Sequence, residues 1–479
     1  MAKRTNEYYD TSSSEDEFQL ELYSDMLERL SVEQSDSSDS EIVQPTRQIV
    51  CLDSESSDSD TITEENIRQC DNVSSSDQWE DVTESDVCPY TINFDLHGKI
   101  PGPQVSNKIV EPIDYFRLYF TDELINSIIK QSNNYAKDEI RKKQLSQNST
   151  WHEWYDITKD EFSAFIAVIL NMGLIQLPNI QEYWATAENS KIPFFSETFT
   201  RSRFMQIFWM LHLSKPTGKN VPMRTRIQKV SNFLEYIDDK FRQYFIPYNS
   251  IAVDESVVKF KGRISFITYN PNKPTKWGIR IYALADSRTG YLFSILPYYG
   301  SLTSDNLSRQ DLPVSTRIPI HLFKKLLEKI PDAKGYHMFT DRYYTSILLA
   351  QELLKMNCHL TGTIQTNRKG VPIKIKKPSF CRKKTIAFRK NGITILSWKD
   401  KRVITMLTNY YNTEMKSTRR ILRGGNAIII NKPKMVLEYT ANMGGVDRAD
   451  HYATLNILKI IIKNTMVYNF SYLPLGGSE

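Results

Sequence analysis

Apolar residues recur at helical spacing between residues 112 and 247. In "DITKDEFSAFIAVILNMGLI", Thr158 precedes the apolar run and Glu161 follows three residues later, the pattern of an N-terminal capping box. The apolar face then continues at spacings of three and four, on Phe162, Phe165, Ile166, Ile169 and Leu170. We therefore predict a helical region over residues 106–249, with its aromatic side chains in the core.

The period changes at residue 250, where short β-branched runs replace the helical pattern. "SIAVDES" predicts a strand, and "WGIRIYALADSRTGYLFSILPYYG" predicts two strands joined by the turn "DSRTG". "GYHMFTDRYYTS" predicts a strand that stops at an acid, and a helix and a further strand follow it. This is the opening order of a mixed α/β sheet. We assign residues 250–366 and 433–456 to this α/β core.

Residues 367–432 interrupt the α/β pattern. Within them, "ITILSWKDKRVITMLTN" predicts a separate hairpin. We interpret the segment as an insertion and expect its strands to lie outside the first sheet. Residues 457–479 provide about one further helix, which we interpret as a truncated C-terminal helical segment.

The first 105 residues are acidic and rich in serine, as in "SDSSDSE". Such a segment buries too little apolar surface to offset chain entropy, so we predict a disordered tail over residues 1–105. Serines beside acids suit an acidophilic kinase. The tail is either a solvated extension or a segment that folds back on the basic body as a decoy for DNA. Unchanged DNA affinity after deletion of residues 1–100 would contradict the decoy hypothesis.

The charge is divided unevenly. Residues 1–100 hold 6 Lys and Arg against 25 Asp and Glu, which leaves 55 against 31 in the rest of the chain. A basic body of this size attracts polyanions, and nucleic acid is the commonest large one. The alternative is a basic surface without a specific partner.

The cysteines exclude some classes of protein. They are scattered without a CxxC pair, so we expect neither a disulfide scaffold nor a zinc site, and a reducing compartment fits best. The N-terminus has no apolar signal-peptide region, and the apolar run "LNILKIIIKNTMV" is too short to span a bilayer.

Three acids lie at the edges of predicted elements. Asp254 follows the strand "IAV", Asp341 ends the strand "HMFT", and Asp447 follows "GGV". Any one of them is by default a cap or turn residue. Together they are suited to holding two Mg²⁺ ions, which prefer carboxylate oxygens and serve phosphodiester chemistry. Asp450 lies on the same helix face as Asp447 and is an additional metal-ligand candidate.

Four blocks of the chain resemble one family. "IAVDESVVKFKG", "KPTKWGIRIYALADSRTGYL", "MFTDRYYTS" and "NMGGVDRADHY" are similar to the blocks around the catalytic acids of piggyBac-type DDD transposases and piggyBac transposable element-derived proteins. The resemblance runs from about residue 112 to 455. It implies an RNase H-like catalytic core split by an insertion, with helical segments for dimerisation and DNA binding.

The resemblance also implies a chemistry. Asp254, Asp341 and Asp447 match the first, second and third metal-binding acids, with Mg²⁺ as the cofactor. DNA cleavage by water, a hairpin intermediate and joining at TTAA targets follow from the family, as do double-stranded DNA as partner, a homodimer and a nuclear location. Family transposases continue beyond the third acid with further helices and a zinc module, which this sequence does not show. Two readings follow: an active transposase, or a domesticated or truncated DNA- or chromatin-binding protein without turnover.

Basic residues provide candidate phosphate contacts. The stretch "TNRKGVPIKIKKPSFCRKKTIAFRK" holds no acid, and "KSTRRILR" is a second cluster. A solvated charged loop and, near Asp254, pairing with neighbouring acids are the alternatives. The candidates are Lys259, Lys261, Arg263, Arg368, Lys369, Lys374, Lys376, Lys377, Arg382, Lys383, Lys384, Arg419 and Arg420.

Overall fold

The computed structural model describes a large part of the chain: residues 50–51, 79–82, 89, 91–142, 145, 147, 149–214, 229–260, 266–269, 276–376, 378, 385–421 and 427–455. The chain forms two compact units. One lies within Ser132–Leu211, and the other within Ile49–Gln131 and His212–Glu479. Most of the predicted acidic tail lies outside the described residues.

Three short strands precede the helices: β1 (Val50–Cys51), β2 (Glu80–Asp81) and β3 (Gly102–Pro103). Residues 91–105 were assigned to the tail by composition, and this boundary is wrong. Leu96 is 5% exposed, and the backbone amides of Asp95 and Lys334 each donate to the other's carbonyl at 3.0 and 2.9 Å. The acidic composition does not reveal that this segment is ordered, because its order comes from backbone hydrogen bonds to residues far away in the sequence.

The helical pattern is confirmed between residues 112 and 244. Two 3-10 turns, Thr150–Glu153 and Ile180–Trp184, separate some of the helices. The helices are α1 (Pro112–Tyr119), α2 (Asp122–Lys142), α3 (Lys159–Leu174), α4 (Pro193–Thr198), α5 (Arg201–Met210) and α6 (Ser231–Tyr244).

The predicted cap of α3 forms in part. The Thr158 hydroxyl accepts a hydrogen bond from the Glu161 amide at 3.2 Å. The Glu161 carboxylate, however, binds the buried guanidinium of Arg203 at 2.6 Å and does not close the box. Arg203 also stacks over the ring of Tyr155 at 3.6 Å. The acid thus links two helices of the same unit, because a buried charge needs a paired partner.

The central sheet contains the strands expected from residue 250 onward: β5 (Ser250–Lys259), β7 (Trp277–Asp286), β8 (Leu292–Pro297), β9 (Tyr336–Thr340) and β10 (Cys358–Thr363). It also contains a short strand that the sequence pattern does not predict, β6 (Thr268–Tyr269). The order across the sheet is β8-β7-β5-β9-β10. β7 is antiparallel to β5 and β8, whereas β5, β9 and β10 are mutually parallel. The mixed α/β sheet is therefore confirmed, with a hairpin on one side and parallel strands on the other. A fourth short strand, β4 (Phe245–Ile246), pairs with β3.

Helices pack on both faces of this sheet. They are α7 (Ser301–Asn306), α8 (Val314–Lys329) and α9 (Ile347–Lys355), followed after the insertion by α11 (Lys434–Asn442) and α12 (Gly445–Leu455). Val253 of β5 shares one buried cluster with Phe323 of α8 and Leu349 of α9. Ala283 belongs to a second cluster with Val446 of α12.

The insertion contains a short helix, α10 (Ile373–Lys376), and five strands: β11 (Thr385–Lys390), β12 (Ile393–Lys399), β13 (Val403–Thr408), β14 (Met415–Ile421) and β15 (Ala427–Pro433). The predicted hairpin is β12–β13.

The expectation that these strands lie outside the first sheet is wrong. β13 pairs antiparallel with β10 through Thr361 and Thr408, so the sheet continues as β10-β13-β12-β11. A bare edge at β10 would leave its backbone groups unpaired, and the hairpin covers them. β14 and β15 form a sheet of their own. None of the helices in the described part of the chain is long and apolar enough to cross a membrane.

Candidate active site

Asp254 and Asp341 occupy neighbouring positions on two adjacent interior strands of the central sheet. β5 and β9 run parallel, and their last register pair is Val253 with Thr340. Asp254 is the next residue of β5, and Asp341 directly follows the end of β9. Neighbouring strands are about 4.8 Å apart, so the register places the two acids next to each other. Thr340 in turn pairs with Gly362 of β10, which puts Thr363 level with Asp341 on its other side.

The turn after β9 fixes Asp341. Its Oδ1 accepts a hydrogen bond from the Tyr343 amide at 2.9 Å, and its carbonyl accepts one from the Thr345 hydroxyl at 2.7 Å. Gly362 passes so close to Thr345 that an added Cβ would overlap the hydroxyl. The Arg368 guanidinium donates to the carbonyl of Tyr343. The acid is therefore held by the backbone of its own turn and by a neighbouring arginine.

A partly buried hydrogen bond joins the segments that carry the two acids. Oδ1 of Asp254 accepts from the Glu255 amide at 2.8 Å, and the Glu255 carboxylate accepts from the Tyr344 hydroxyl at 3.2 Å. Burial, with added repulsion from Glu255, raises the pKa of Tyr344 well above its ordinary value. The phenol therefore stays protonated and remains the donor of this bond.

Asp447 is in the first turn of α12, which packs directly on the sheet. A Cβ on Gly445 would lie 3.2 Å from the Asp286 carbonyl oxygen and 3.3 Å from the Cβ atoms of Ala252 and Ala285. A side chain at this position would push the helix away. The glycine thus serves close packing, and negative charge in a helix's first turn is favoured by the helix dipole.

Asp450 faces the same strand from one helical turn further on. Its Oδ1 accepts a hydrogen bond from the Ser256 hydroxyl at 2.5 Å. Ser256 is two residues after Asp254, so both side chains point to the same face of β5. Asp450 therefore lies over the face of β5 that carries the Asp254 side chain.

All three predicted acids affect the pKa of Tyr439, a residue of α11. Burial raises the pKa of Tyr439 to about 12, and the charges of Asp341, Asp254 and Asp447 add to the rise. Its hydroxyl is 3.5 Å from the hydroxyl of Thr363. A single phenol thus lies within electrostatic range of the three carboxylates. Sequence reasoning missed Tyr439 and Thr363, and nothing in their local pattern signals the contact.

In this structure Asp254, Asp341 and Asp447 are not arranged as a complete set of metal ligands. Among the residues that the structure describes, no three His, Cys, Asp or Glu side chains are grouped closely enough to hold a metal ion. The donor chemistry nevertheless fits a divalent cation, because Mg²⁺ takes one or two carboxylates and completes its shell with water and substrate phosphate. The neighbouring acids Asp254 and Asp341 would provide two such ligands, and Asp447 and Asp450 of α12 are further candidates.

The basic candidates divide into four groups. Arg420 forms an ion pair with Asp400 at 2.5 Å, and Arg368 supports the Asp341 turn, so both have structural contacts. Lys259 is partly buried at the end of β5. Four candidates have exposed side chains: Lys369, Lys374, Lys376 and Arg419. Six lie outside the described residues: Lys261, Arg263, Lys377, Arg382, Lys383 and Lys384.

Comparison with known proteins places this geometry in a family. The family model for "Transposase IS4" matches residues 111–461. Human PiggyBac transposable element-derived protein 3 is 24% identical over 357 residues, which are 71% of this chain and 55% of that protein. Human PiggyBac transposable element-derived protein 2 is 25% identical over 366 residues, 74% of this chain and 57% of that protein. The chain thus spans a little over half the length of these relatives.

A solved structure shares the fold. The cryo-EM structure of a piggyBac transposase synaptic complex with hairpin DNA superimposes with a TM-score of 0.63 at 22% identity, covering 78% of this chain and 76% of that one. At this identity the likeness establishes the fold. Because the family model matches well over half of the chain, the chain belongs to the Transposase IS4 family; it is similar to piggyBac transposable element-derived proteins and shares the fold of a piggyBac transposase.

Proposed function

We propose that the chain cleaves and joins DNA strands at transposon ends, with Asp254, Asp341 and Asp447 as its catalytic acids. The observation that carries the proposal is the strand register: the parallel pair Val253 and Thr340 puts Asp254 beside Asp341. Asp447 raises the pKa of Tyr439, as Asp254 and Asp341 also do, and this supports its inclusion as the third acid. Target joining at TTAA, a hairpin intermediate and a nuclear location are part of the proposal through the family resemblance.

The chain's own residues have distinct tasks in this scheme. The amides of Glu255 and Tyr343 hold one oxygen of Asp254 and of Asp341, which orients the carboxylates. RNase H-like transposases generally use divalent metals, and bound cations, which we take to be Mg²⁺, would activate the attacking oxygen and stabilise the leaving one. The exposed lysines of the insertion provide contacts to DNA phosphates that position the duplex.

A second function is binding to DNA or chromatin without turnover. One observation favours it: the described His, Cys, Asp and Glu side chains include no group of three arranged around a metal position. The acids would then serve the fold, as the Asp450–Ser256 and Asp341–Tyr343 hydrogen bonds do. Both functions predict DNA affinity, so only turnover separates them.

The separating experiment is nicking of a supercoiled plasmid that carries TTAA sites, in the presence of Mg²⁺ or Mn²⁺. We expect the wild-type chain to nick the plasmid and Asp341→Asn to abolish nicking while duplex affinity is retained. Asp332→Asn, an exposed acid before the start of β9, is the matched control. Equal nicking by wild type and Asp341→Asn would refute the catalytic role, and absence of nicking in both would favour the binding function.

The homodimer and the kinase acting on the N-terminal serines remain predictions. Light scattering of the purified chain measures the oligomeric state, and phosphate incorporation by an acidophilic kinase tests the second.

A further inference from the structure

A short acidic segment pairs with the outer edge of the insertion. Residues 79–82, "WEDV", form β2 and run antiparallel to β11. Asp81 is opposite Phe388, Glu80 is opposite Arg389, and the Val82 amide donates to the Ala387 carbonyl at 3.1 Å. β2 is the last strand of the sheet on this side, and it covers the edge of β11 that would otherwise present unpaired backbone groups.

The two ends of the segment are anchored by apolar side chains. The Trp79 indole nitrogen donates to the Gly370 carbonyl at 3.0 Å, and its ring packs against the main core cluster. Val82 packs against a second cluster that contains Ala387 and Trp398. The two acids between them are exposed, and Asp81 lies 3.4 Å from the ammonium of Lys374.

These contacts suit reversible binding. The side chains of Lys374 and Asp81 are 72% and 69% exposed, and exposed ion pairs contribute little to stability. A two-residue strand adds few backbone hydrogen bonds. Docking therefore depends mainly on Trp79 and Val82 and on the covalent connection to the body, which keeps the local concentration of the segment high.

The segment contacts one of the candidate phosphate-binding residues, Lys374, and two more lie close to it in the sequence. Lys374 and Lys376 project from α10, and Lys369 is exposed just before it. We propose that residues 79–82 are an internal latch that binds the β11 edge and Lys374, so that duplex DNA reaching the insertion competes with the latch. This inference rests on the proposed function in that DNA binds the basic insertion.

The test uses the full chain and two readouts. Trp79→Ala combined with Val82→Pro removes the indole anchor and the amide donor. Val82→Ile, which keeps the donor and the apolar packing, and Val110→Ala, an exposed apolar residue elsewhere, are the controls. Hydrogen exchange of residues 385–392 reports docking, and anisotropy of a fluorescent duplex reports affinity.

We expect the double variant to show faster exchange in β11 and about fivefold higher duplex affinity. Its log–log salt slope should steepen by about 0.9 for one freed phosphate contact. A synthetic peptide of residues 76–85, added in excess to the double variant, should reverse both changes, and the two controls should behave as wild type.

Two results would overturn the latch. Unchanged exchange in the double variant means that the segment does not dock on β11. Faster exchange with unchanged duplex affinity means that docking does not compete with DNA. If neither the wild type nor any variant binds DNA, both the proposed function and the competition between the latch and DNA are refuted. The hydrogen-exchange measurement still shows, independently of DNA, whether residues 79–82 dock on β11.

Discussion

Gly445, the first residue of α12, lies so close to Ala252 of β5 that a Cβ on the glycine would be 3.3 Å from the Cβ of the alanine. Ala252 precedes Asp254 by two residues, and Asp447 follows Gly445 by two. The spacing between the helix and the strand at this one point therefore sets the separation of the first and third acids.

Replacing Gly445 by alanine tests this dependence. We expect Gly445→Ala to displace the start of α12, lower the free energy of unfolding by about 1–3 kcal/mol and reduce plasmid nicking. Gly444→Ala is the matched control, because a Cβ there would have the flexible end of Arg448 as its nearest neighbour, at 3.8 Å. Thermal unfolding and nicking measure the two effects. Identical behaviour of both variants would contradict the packing role of Gly445.

The hydrogen bond from Tyr344 to Glu255 links the segments that carry Asp254 and Asp341. Tyr344→Phe removes the donor from a partly buried carboxylate, which costs about 1 kcal/mol of stability. We expect nicking to fall while duplex affinity stays the same, because the change acts on the alignment of the acids. A double-mutant cycle with Glu255→Gln measures the coupling. Strictly additive effects on nicking would show that the bond does not align the site.

Tyr439 is predicted to act as a neutral donor beside the three acids. Since its pKa is raised to about 12, the phenol keeps its proton throughout the range in which the protein is assayed. Tyr439→Phe removes the hydroxyl that contacts Thr363 beside the acids, and we expect the nicking rate to fall about fivefold, the effect of losing one neutral hydrogen bond, with little change in thermal unfolding. Tyr115→Phe, at an exposed position, is the control. A wild-type rate for Tyr439→Phe would exclude the hydroxyl from the reaction.

The positions of the two strand acids followed from the sequence because a β-branched run that stops at an acid is a local signal. Their adjacency did not, since it depends on β5 and β9 pairing across the 76 residues that separate the end of one strand from the start of the other. The same limit explains the insertion: the β12–β13 hairpin is visible in its alternating pattern, but its pairing with β10 is set by which edge is left open. Thr363 and Tyr439 were missed because nothing local marks residues that meet only after the sheet is assembled.

Arg368 and Lys369 are neighbours in the basic stretch and should differ in effect. Arg368 binds the Tyr343 carbonyl behind Asp341, whereas Lys369 is exposed. We expect Arg368→Lys to reduce nicking with unchanged duplex affinity, because a lysine does not reproduce the planar guanidinium. Lys369→Ala should instead weaken duplex binding and reduce the salt slope by about 0.9. Anisotropy titrations at several salt concentrations, together with nicking, distinguish the two roles. Weaker duplex binding by Arg368→Lys, or reduced nicking with unchanged duplex binding by Lys369→Ala, would contradict the role assigned to that residue.

One partly buried histidine and one buried histidine make the chain sensitive to acid. Burial, with an added effect of Lys325, lowers the pKa of His321 to about 4, and burial lowers that of His337 well below its ordinary value. Between about pH 6.5 and pH 4 the unfolded chain therefore binds protons that the folded chain does not. The free energy of unfolding has its full value above about pH 6.5 and decreases as the pH falls toward 4.

Urea unfolding at pH 7.5 and pH 5.0 measures this loss. We expect the wild-type chain to be less stable at pH 5.0 and His321→Gln to narrow the difference, because the glutamine has no proton to gain. His152→Gln, at an exposed position, should leave the difference as it is in wild type. His337 lies in the sheet 2.8 Å from the Thr361 hydroxyl and 6.1 Å, between ring centroids, from His359, so part of the acid sensitivity should persist in His321→Gln. An undiminished pH difference in His321→Gln would show that this side chain is not a source of the acid sensitivity.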